Sequence, residues 1–489
     1  MRRRHGFGLL LAVALAAMSV GCEGDDGLPG PAGPEGPQGP EGPQGPPGPA
    51  PTESEFAFLG DFGSQCIHCH ATLVGDYVTT NHRFAFDDLG EMQDDLFCLQ
   101  CHTTGFNCEI ASGQTEIDPA QCDDLEDGFS AWVGDTTTLG AERRAALEGV
   151  QCESCHGAMG PDFNAHAPEI SFATRDDPAT GESLSLCYKC HDFQVEEWKN
   201  SGHANAAGGD LALLEEEFGR SSCDFCHTSE GFIRVNDPAF ADFDFEGFSF
   251  IGCPTCHDPH VGEAGGGNMA QLRNTSAVEV SYTFPSEPGR PENARMEGFG
   301  PGQTCAQCHR ARRNNDNVQN QIFGSGSAHP GPHGSPQMDM FIGAGSYEIP
   351  GFVYEGDHPH ETLVNDGCVT CHMAFSESFG GHIVHDFMPS LDVCTSACHP
   401  GATDFDINGT QTEIAAKLDS ASVLLGYADL ADFEANWGAD NIAAPTWQRE
   451  VGYSILFVNN SGDRGVHNAT YARSVIDNAI AHANANLVP

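Results

Sequence analysis

Cysteine and histidine recur in this chain in one fixed arrangement. Cys-x-x-Cys-His stands at Cys66/Cys69/His70, Cys98/Cys101/His102, Cys152/Cys155/His156, Cys187/Cys190/His191, Cys223/Cys226/His227, Cys253/Cys256/His257, Cys305/Cys308/His309 and Cys368/Cys371/His372. A ninth copy, Cys394/Cys398/His399, has three intervening residues, so one residue must bulge. A chain of 489 residues with 21 Cys and 23 His would produce well under one such motif by chance. Two thiols at this spacing can add to the two vinyl groups of one porphyrin, and the adjoining imidazole can then bind iron from one face. A zinc site would use the thiol pairs but leaves the following histidine unexplained. The cofactor expected is therefore haem c, nine copies, covalently held by the eighteen motif cysteines, with the nine motif histidines as proximal ligands.

A six-coordinate iron needs a second donor, and neutral imidazole is the obvious one. Setting aside His5 and the nine proximal residues leaves 13 histidines for nine positions. The distal candidates are His82, His166, His203, His260, His329, His360, His382, His385 and His467, with His68, His333, His358 and His482 as spares. His70 is followed 12 residues later by His82 and His191 by His203, and equal offsets argue for equal roles. Methionine ligation would raise the potential, but the ten methionines show no matching placement.

The flanks repeat as well. CLQCHTTGF at 98–106 is echoed by CDFCHTSEGF at 223–232, and the first cysteines of motifs 1 to 3 precede those of 4 to 6 by 121, 125 and 101 residues. From there to motifs 7 to 9 the offsets are 118, 145 and 141. Three tri-haem units are expected, at 60–170, 180–262 and 300–400, within a nine-haem domain at 51–400. His329 is the expected third counterpart of His82 and His203. Residues 230–300 and 335–357, rich in Gly, Pro and aromatics, read as irregular excursions. Beyond 401 the chain becomes helical, with apolar periodicity over 413–437 and 469–487.

Two cysteines outside the motifs, Cys108 and Cys122, pair as a candidate disulfide in an oxidising compartment, with a redox role as the alternative. The remaining one, Cys22, ends a segment of basic Arg2 to Arg4, an apolar Phe7 to Met18 and small Ser19 to Gly21. Residues 1–21 read as a signal peptide of lipoprotein type, with Cys22 acylated and 22–26 as the anchor; ordinary cleavage with a spare cysteine is the alternative. Glu23 after the cysteine resembles lipoproteins sent on to the outer membrane. Haem attachment outside the cytoplasm to an unfolded chain fits general secretion.

Residues 27–50 are eight unbroken Gly-x-y triplets, the period a collagen triple helix requires at its axis. As a rod they would span roughly 74 Å at about 3.1 Å per residue. A single-chain polyproline II spacer is the other reading.

Composition narrows partners. Lys+Arg number 21 against 70 Asp+Glu, a formal charge of -49, which excludes a basic nucleic-acid footprint. With 58 Gly, 30 Pro and 39% hydrophobic residues, porphyrin rather than side chain must fill much of the interior. The fold class expected is mainly α with extensive loops, a multihaem scaffold with little β-sheet.

The residues resemble a superfamily of multihaem cytochromes c that includes pentahaem nitrite reductases, octahaem hydroxylamine oxidoreductases, tetrathionate reductases and the tetrahaem cytochromes of nitrifiers. The likeness rests on Cys187-Tyr188-Lys189-Cys190-His191 followed by Trp198, Ser201 and His203, on CHTTGF at 101–106 and on GVQCESCHG at 149–157. CPTCHDPH at 253–260, CVTCHM at 368–373 and GVHNATYA at 465–472 extend it. In such relatives the GVHN histidine is a distal ligand near the start of a long C-terminal helix, which implies that role for His467. The chain departs from the nitrite reductases in having no Cys-x-x-Cys-Lys motif, and its haem count of nine matches none of the named enzymes.

Two functions are the leading expectations. One is electron transfer through nine mostly bis-histidine haems at the cell envelope, between redox partner proteins and an extracellular acceptor, on an outer-membrane lipoprotein facing periplasm or cell surface. The other is an oxidoreductase acting on a small nitrogen or sulfur compound at one open haem; its catalytic residues are not identifiable from the motifs. A structural role, in which stalk trimers organise the cytochromes, is the third class. Homotrimers through the stalk or dimers through the C-terminal helices are both compatible.

Overall fold

The computed structural model describes residues 56–64, 66–122, 127–160, 186–204, 223–238, 249–262, 270–280, 282, 294–377 and 381–487. The signal peptide, Cys22, the triplets at 27–50 and His166 lie outside the described residues. The chain divides into two units, Met1–Pro47 and Gly48–Pro489, and all nine motifs belong to the second.

Helix and loop dominate. Among the described residues the only sheets are two antiparallel pairs, Val278–Glu279 with Arg295–Met296 and Phe375–Ser376 with His382–Ile383. Most motif cysteines lie on or beside helices of a turn or two, such as Leu96–His102, Cys152–His156, Asp224–His227 and Cys368–His372. Such short helices cannot stand alone in water and must be held by what packs on them.

The repeat read from CHTTGF and CHTSEGF is built identically in both places. Thr103 Oγ donates to the Leu99 carbonyl at 2.7 Å and Thr228 Oγ to that of Asp224 at 3.0 Å. The next hydroxyls, Thr104 and Ser229, reach into the following motif, 3.0 Å from Ser154 Oγ and 2.7 Å from Thr255 Oγ. Each hydroxyl pair ties one motif to the next while satisfying buried polar atoms. Cys108 and Cys122 are joined as a disulfide, beside a small apolar core of Phe58, Leu89, Leu96, Leu99, Ile110, Phe129 and Leu147.

The largest apolar core lies in the C-terminal helices. Helix Thr410–Leu424 buries Ile414, Leu418, Ala421 and Ser422, a stripe at helical spacing. Helix Ala469–Leu487 buries Tyr471, Ala472, Val475, Ile476, Ala479 and Ala483, where alanines let neighbours approach closely. Between them runs Thr446–Asn460, buried on every side from Arg449 to Ser454. Neither of the periodic stretches read from the sequence, 413–437 and 469–487, covers this helix. The stretch 413–437, which reads as one helix, is broken at 425–429: Gly426 takes φ 102° and Asp429 caps a new helix, Leu430–Asp440. Residues 335–357 also differ from expectation. Apart from the helix Gln337–Phe341 they are irregular, yet Met338, Met340, Tyr347 and Ile349 are buried, so this stretch is core rather than excursion.

Candidate haem centres

In the two-residue motifs at Cys66, Cys187, Cys253 and Cys305, the backbone N–H of the histidine donates to the carbonyl of the first cysteine, at 2.8, 2.8, 2.9 and 3.0 Å. One helical turn thus sets both thiols and the ring on a common face. The ninth motif keeps this closure despite its extra residue: His399 N–H donates to the Cys394 carbonyl at 2.8 Å, an i to i−5 bond, while Cys398 N–H donates to the same oxygen at 3.1 Å. The bulge is local and of the π type.

The motif cysteines are not uniformly sheltered. All eighteen are free of disulfides, and fifteen are half-buried, but Cys69, Cys190 and Cys398 are exposed. Cys69 and Cys190 each stand between exposed neighbours, His68 and His70 for the first and Lys189 and His191 for the second. Cys69 still has the local geometry of the other motifs, its N–H donating to the Cys66 carbonyl at 3.1 Å.

Seven motif histidines face a second imidazole. Ring centroids are 6.1 Å apart for His191 and His82, 6.1 Å for His156 and His260, and 6.1 Å for His227 and His333. His309 and His203 stand at 6.0 Å, His257 and His385 at 6.3 Å, His399 and His360 at 6.2 Å, and His372 and His467 at 6.2 Å. Two metal–imidazole bonds of about 2 Å each, plus half the width of two five-membered rings, add up to about this separation. Two rings in direct contact would stand closer, as His358 and His360 do at 4.7 Å.

The rings are held by one nitrogen. His257 Nδ1 lies 2.6 Å from the Ala270 carbonyl, His372 Nδ1 2.8 Å from that of Phe387, and His385 Nδ1 2.7 Å from that of Ile383. His102 Nδ1 meets the Ala85 carbonyl and His333 Nδ1 the Ser335 hydroxyl. A carbonyl at Nδ1 takes the proton there and leaves Nε2 as the donor to a metal. Burial, with a neighbouring imidazole second, pushes His82 and His203 down to about 4, and burial with Arg312 does the same to His333. These rings stay neutral, the form that ligates.

Two distal candidates are placed otherwise. His382 gives its Nε2 to Glu197 Oε1 at 2.7 Å and lies over Phe193, so the nitrogen a metal would use faces a carboxylate. His329 is exposed, and the ring opposite His227 is His333, expected to be a spare. The reason is local: His333 N–H donates to the Ala311 carbonyl at 3.1 Å, which pins it beside motif 7. A sequence signal existed, since 227 to 333 spans 106 residues, as does 203 to 309, close to the 109 from 82 to 191. His166 lies outside the described residues. Of the spares, His482 Nε2 meets Glu450 at 2.8 Å and His358 caps the helix Pro359–Leu363. For His70 and His102, no second ring stands at the paired spacing among the described residues.

The motifs adjoin one another through their cysteines. Thiols are within hydrogen-bonding reach between Cys66 and Cys152, Cys101 and Cys190, Cys226 and Cys308, and Cys305 and Cys368. Cys155 and Cys187, Cys256 and Cys305, and Cys371 and Cys394 lie close enough for the charge of one to act on the other, as do His191 and His257. Taken together, motifs 1, 3, 4, 6, 7, 8 and 9 form one run, with 2 beside 4 and 5 beside 7. Paired thiols, neutral rings and ring gaps of one iron's width fit covalent haem c.

That build suits several covalent haems c, and the curated proteins the chain resembles are multihaem cytochromes. The family described as "Cytochrome c554 and c-prime" matches residues 128–157. The chain is similar to the multiheme cytochrome MtrA of Shewanella baltica, 25% identical over 164 residues, 30% of this chain and 46% of that one. It is also similar to the C-type polyheme cytochrome OmcC of Geobacter sulfurreducens, 25% identical over 214 residues, 37% of this chain and 24% of that one. The matches therefore span less than half of either relative. Among solved structures, the outer cell wall cytochrome OcwA superposes with a TM-score of 0.47 at 18% identity, covering 87% of this chain and all of that one. The undecaheme S-layer cytochrome of Carboxydothermus ferrireducens gives 0.49 at 17%, covering 90% and 70%. The narrower likeness to nitrite reductases is weak: the enzyme of Desulfovibrio desulfuricans gives 0.30 at 16%, covering 54% and 64%.

Proposed function

We propose that this chain is an electron conduit of the cell envelope, carrying nine covalent haems c, most of them closed by two histidines. The single observation behind this reading is the set of seven imidazole pairs, each joining a motif histidine to a remote one at 6.0 to 6.3 Å. Haem c supplies reversible one-electron iron chemistry. The chain's own residues do the rest: cysteines fix the macrocycle, paired rings close both faces against small ligands, and adjoining motifs bring neighbouring centres together. The two N-terminal units repeat one hydroxyl-linked plan, and the third completes the array. The relatives named multiheme and polyheme cytochromes support the class.

Signal peptide, acylated Cys22 and triplet stalk then read as an outer-membrane lipoprotein raised from its anchor, passing electrons from redox partner proteins to an acceptor at the periplasmic or outer face. Among the described residues no helix is long and apolar enough to cross a membrane. Trimers through residues 27–50 are tested by deleting that segment and measuring mass in solution; an unchanged monomer in both forms ends the idea.

Low-temperature EPR of the oxidised, haem-quantified protein, repeated with cyanide or nitrite, tests the conduit. Low-spin signals indifferent to both ligands are expected from the seven paired centres. A second reading is favoured by His70 and His102, which have no second ring among the described residues. A high-spin signal from these centres that shifts with ligand would mean an open site and put an oxidoreductase acting on a small nitrogen or sulfur compound first; a wholly low-spin, unresponsive protein would remove it.

A further inference from the structure

Phe387 is a bulky residue with φ 58°, in the left-handed region that L side chains rarely occupy. Such a conformation persists only where the surroundings impose it, and it invites a search for what it accomplishes. Phe387 meets imidazoles of three different pairs. Its ring packs edge-on against His203, with centroids 4.6 Å apart and planes at 82°. The same ring lies 6.1 Å from that of His385. Its carbonyl oxygen accepts from His372 Nδ1 at 2.8 Å. Thus one residue touches the partner of His309, the partner of His257 and the motif histidine opposite His467.

The segment around it is tied down on both sides. Before it, Glu197 accepts from the His385 backbone N–H at 2.8 Å through one oxygen and holds His382 with the other. After it, Ser390 N–H donates to the Cys371 carbonyl at 3.0 Å. Between these anchors the left-handed turn sends ring and carbonyl to different imidazoles within a single residue. Glycine would adopt the turn freely but has no ring to set against His203.

We propose that Phe387 is a positioning residue that sets the ring orientation of the His203–His309, His257–His385 and His372–His467 centres together, fixing each at its own interplanar angle, 77°, 37° and 49°. It undergoes no redox step itself. The orientation of two axial imidazole planes governs the splitting of the iron d orbitals, which EPR and midpoint potential both register. The inference rests on the pairing proposed above.

Phe387→Gly keeps the turn and the carbonyl and removes the ring; Phe387→Leu retains apolar bulk. Both are made in the full-length chain and compared with the native protein by haem-to-protein ratio, thermal midpoint, low-temperature EPR and spectroscopic redox titration. The expected result is full haem content and an unchanged or higher thermal midpoint for the glycine variant, with shifted g-values and midpoint for the His203 centre and a partial return in the leucine variant. His203→Ala identifies that signal by converting it to high spin. A glycine variant whose EPR and titration superimpose on the native curves, beside a responsive His203→Ala, overturns the role of Phe387 alone. Haem loss or loosening of all centres in both Phe387 variants overturns it too, as a merely structural effect. A His203→Ala protein with every low-spin signal intact refutes the pairing, and the inference with it.

Discussion

His399 donates its backbone N–H to the carbonyl of Cys394 at 2.8 Å, five residues back, and by this bond the longest of the nine motifs ends in the same closure as the others. Thr395, Ser396 and Ala397 are carried in a helix, Leu391–Ala397, that simply widens at its end.

The ninth motif should therefore hold haem like the other eight. Cys394→Ala with Cys398→Ala is expected to lower haem per polypeptide from nine to eight, measured by pyridine haemochrome against protein mass. A ratio unchanged by the double substitution would mean that this motif carries none.

His333 and His329 stand four residues apart and separate cleanly in outcome. His333→Ala is expected to turn one low-spin centre high spin, because it removes the ring 6.1 Å from His227. His329→Ala is expected to leave the EPR spectrum as it was. The reverse result would restore the repeat-based assignment.

Glu197 and His382 make a second contrast. His382→Ala should leave every low-spin signal in place, since its Nε2 already faces Glu197. Glu197→Ala should disturb the His257–His385 centre, because the carboxylate also holds the His385 backbone. Resolved by EPR, a high-spin centre in His382→Ala would contradict this arrangement.

Stability in the C-terminal helices depends on a close contact. A Cβ on Gly452 would lie 2.2 Å from the Trp437 ring. Gly452→Ala is expected to cost about 1–3 kcal/mol through overpacking, seen as a lower thermal midpoint with unchanged haem content.

Asp339 gives a pH signature. It is fully buried, and burial pushes its carboxyl from 3.8 up to about 7, even though it accepts from the Ala311 N–H at 2.6 Å. An acid whose native value is raised binds its proton more tightly folded than unfolded, so stability falls as pH rises from about 4 to about 7, by on the order of 1.4 kcal/mol per unit, and then levels. Asp339→Asn cannot ionise. Its denaturation midpoint, measured from pH 4 to 8, should gain on the native protein through that window; parallel curves would count against the shift.

Much of the chemistry is legible in the residues because it is local. Cys-x-x-Cys-His spans one helical turn, so spacing alone predicts that thiols and ring share a face. His82 and His203, marked by equal 12-residue offsets, are rings that stand opposite His191 and His309. His333 is not legible in that way, because the Ala311 carbonyl that pins it lies outside any repeated phrase. His382 misleads for the converse reason: its carboxylate partner is 185 residues away in sequence. Apolar periodicity at 413–437 and 469–487 announces C-terminal helices, while Thr446–Asn460, buried from Arg449 to Ile455, lies between those two stretches.

Five of the seven ring pairs join residues more than a hundred positions apart, the separations being 104, 106, 106, 109 and 128. If each motif receives its haem as it emerges, in three of these five pairs the partner ring is made only later. Synthesis from the N-terminus then gives His191 and His309 a His82 and a His203 already made, while His156, His227 and His257 wait for His260, His333 and His385. A chain arrested before residue 333 would carry its early haems and still keep the iron at His227 unfinished, so the colour of the nascent cytochrome would record how much of it had been made.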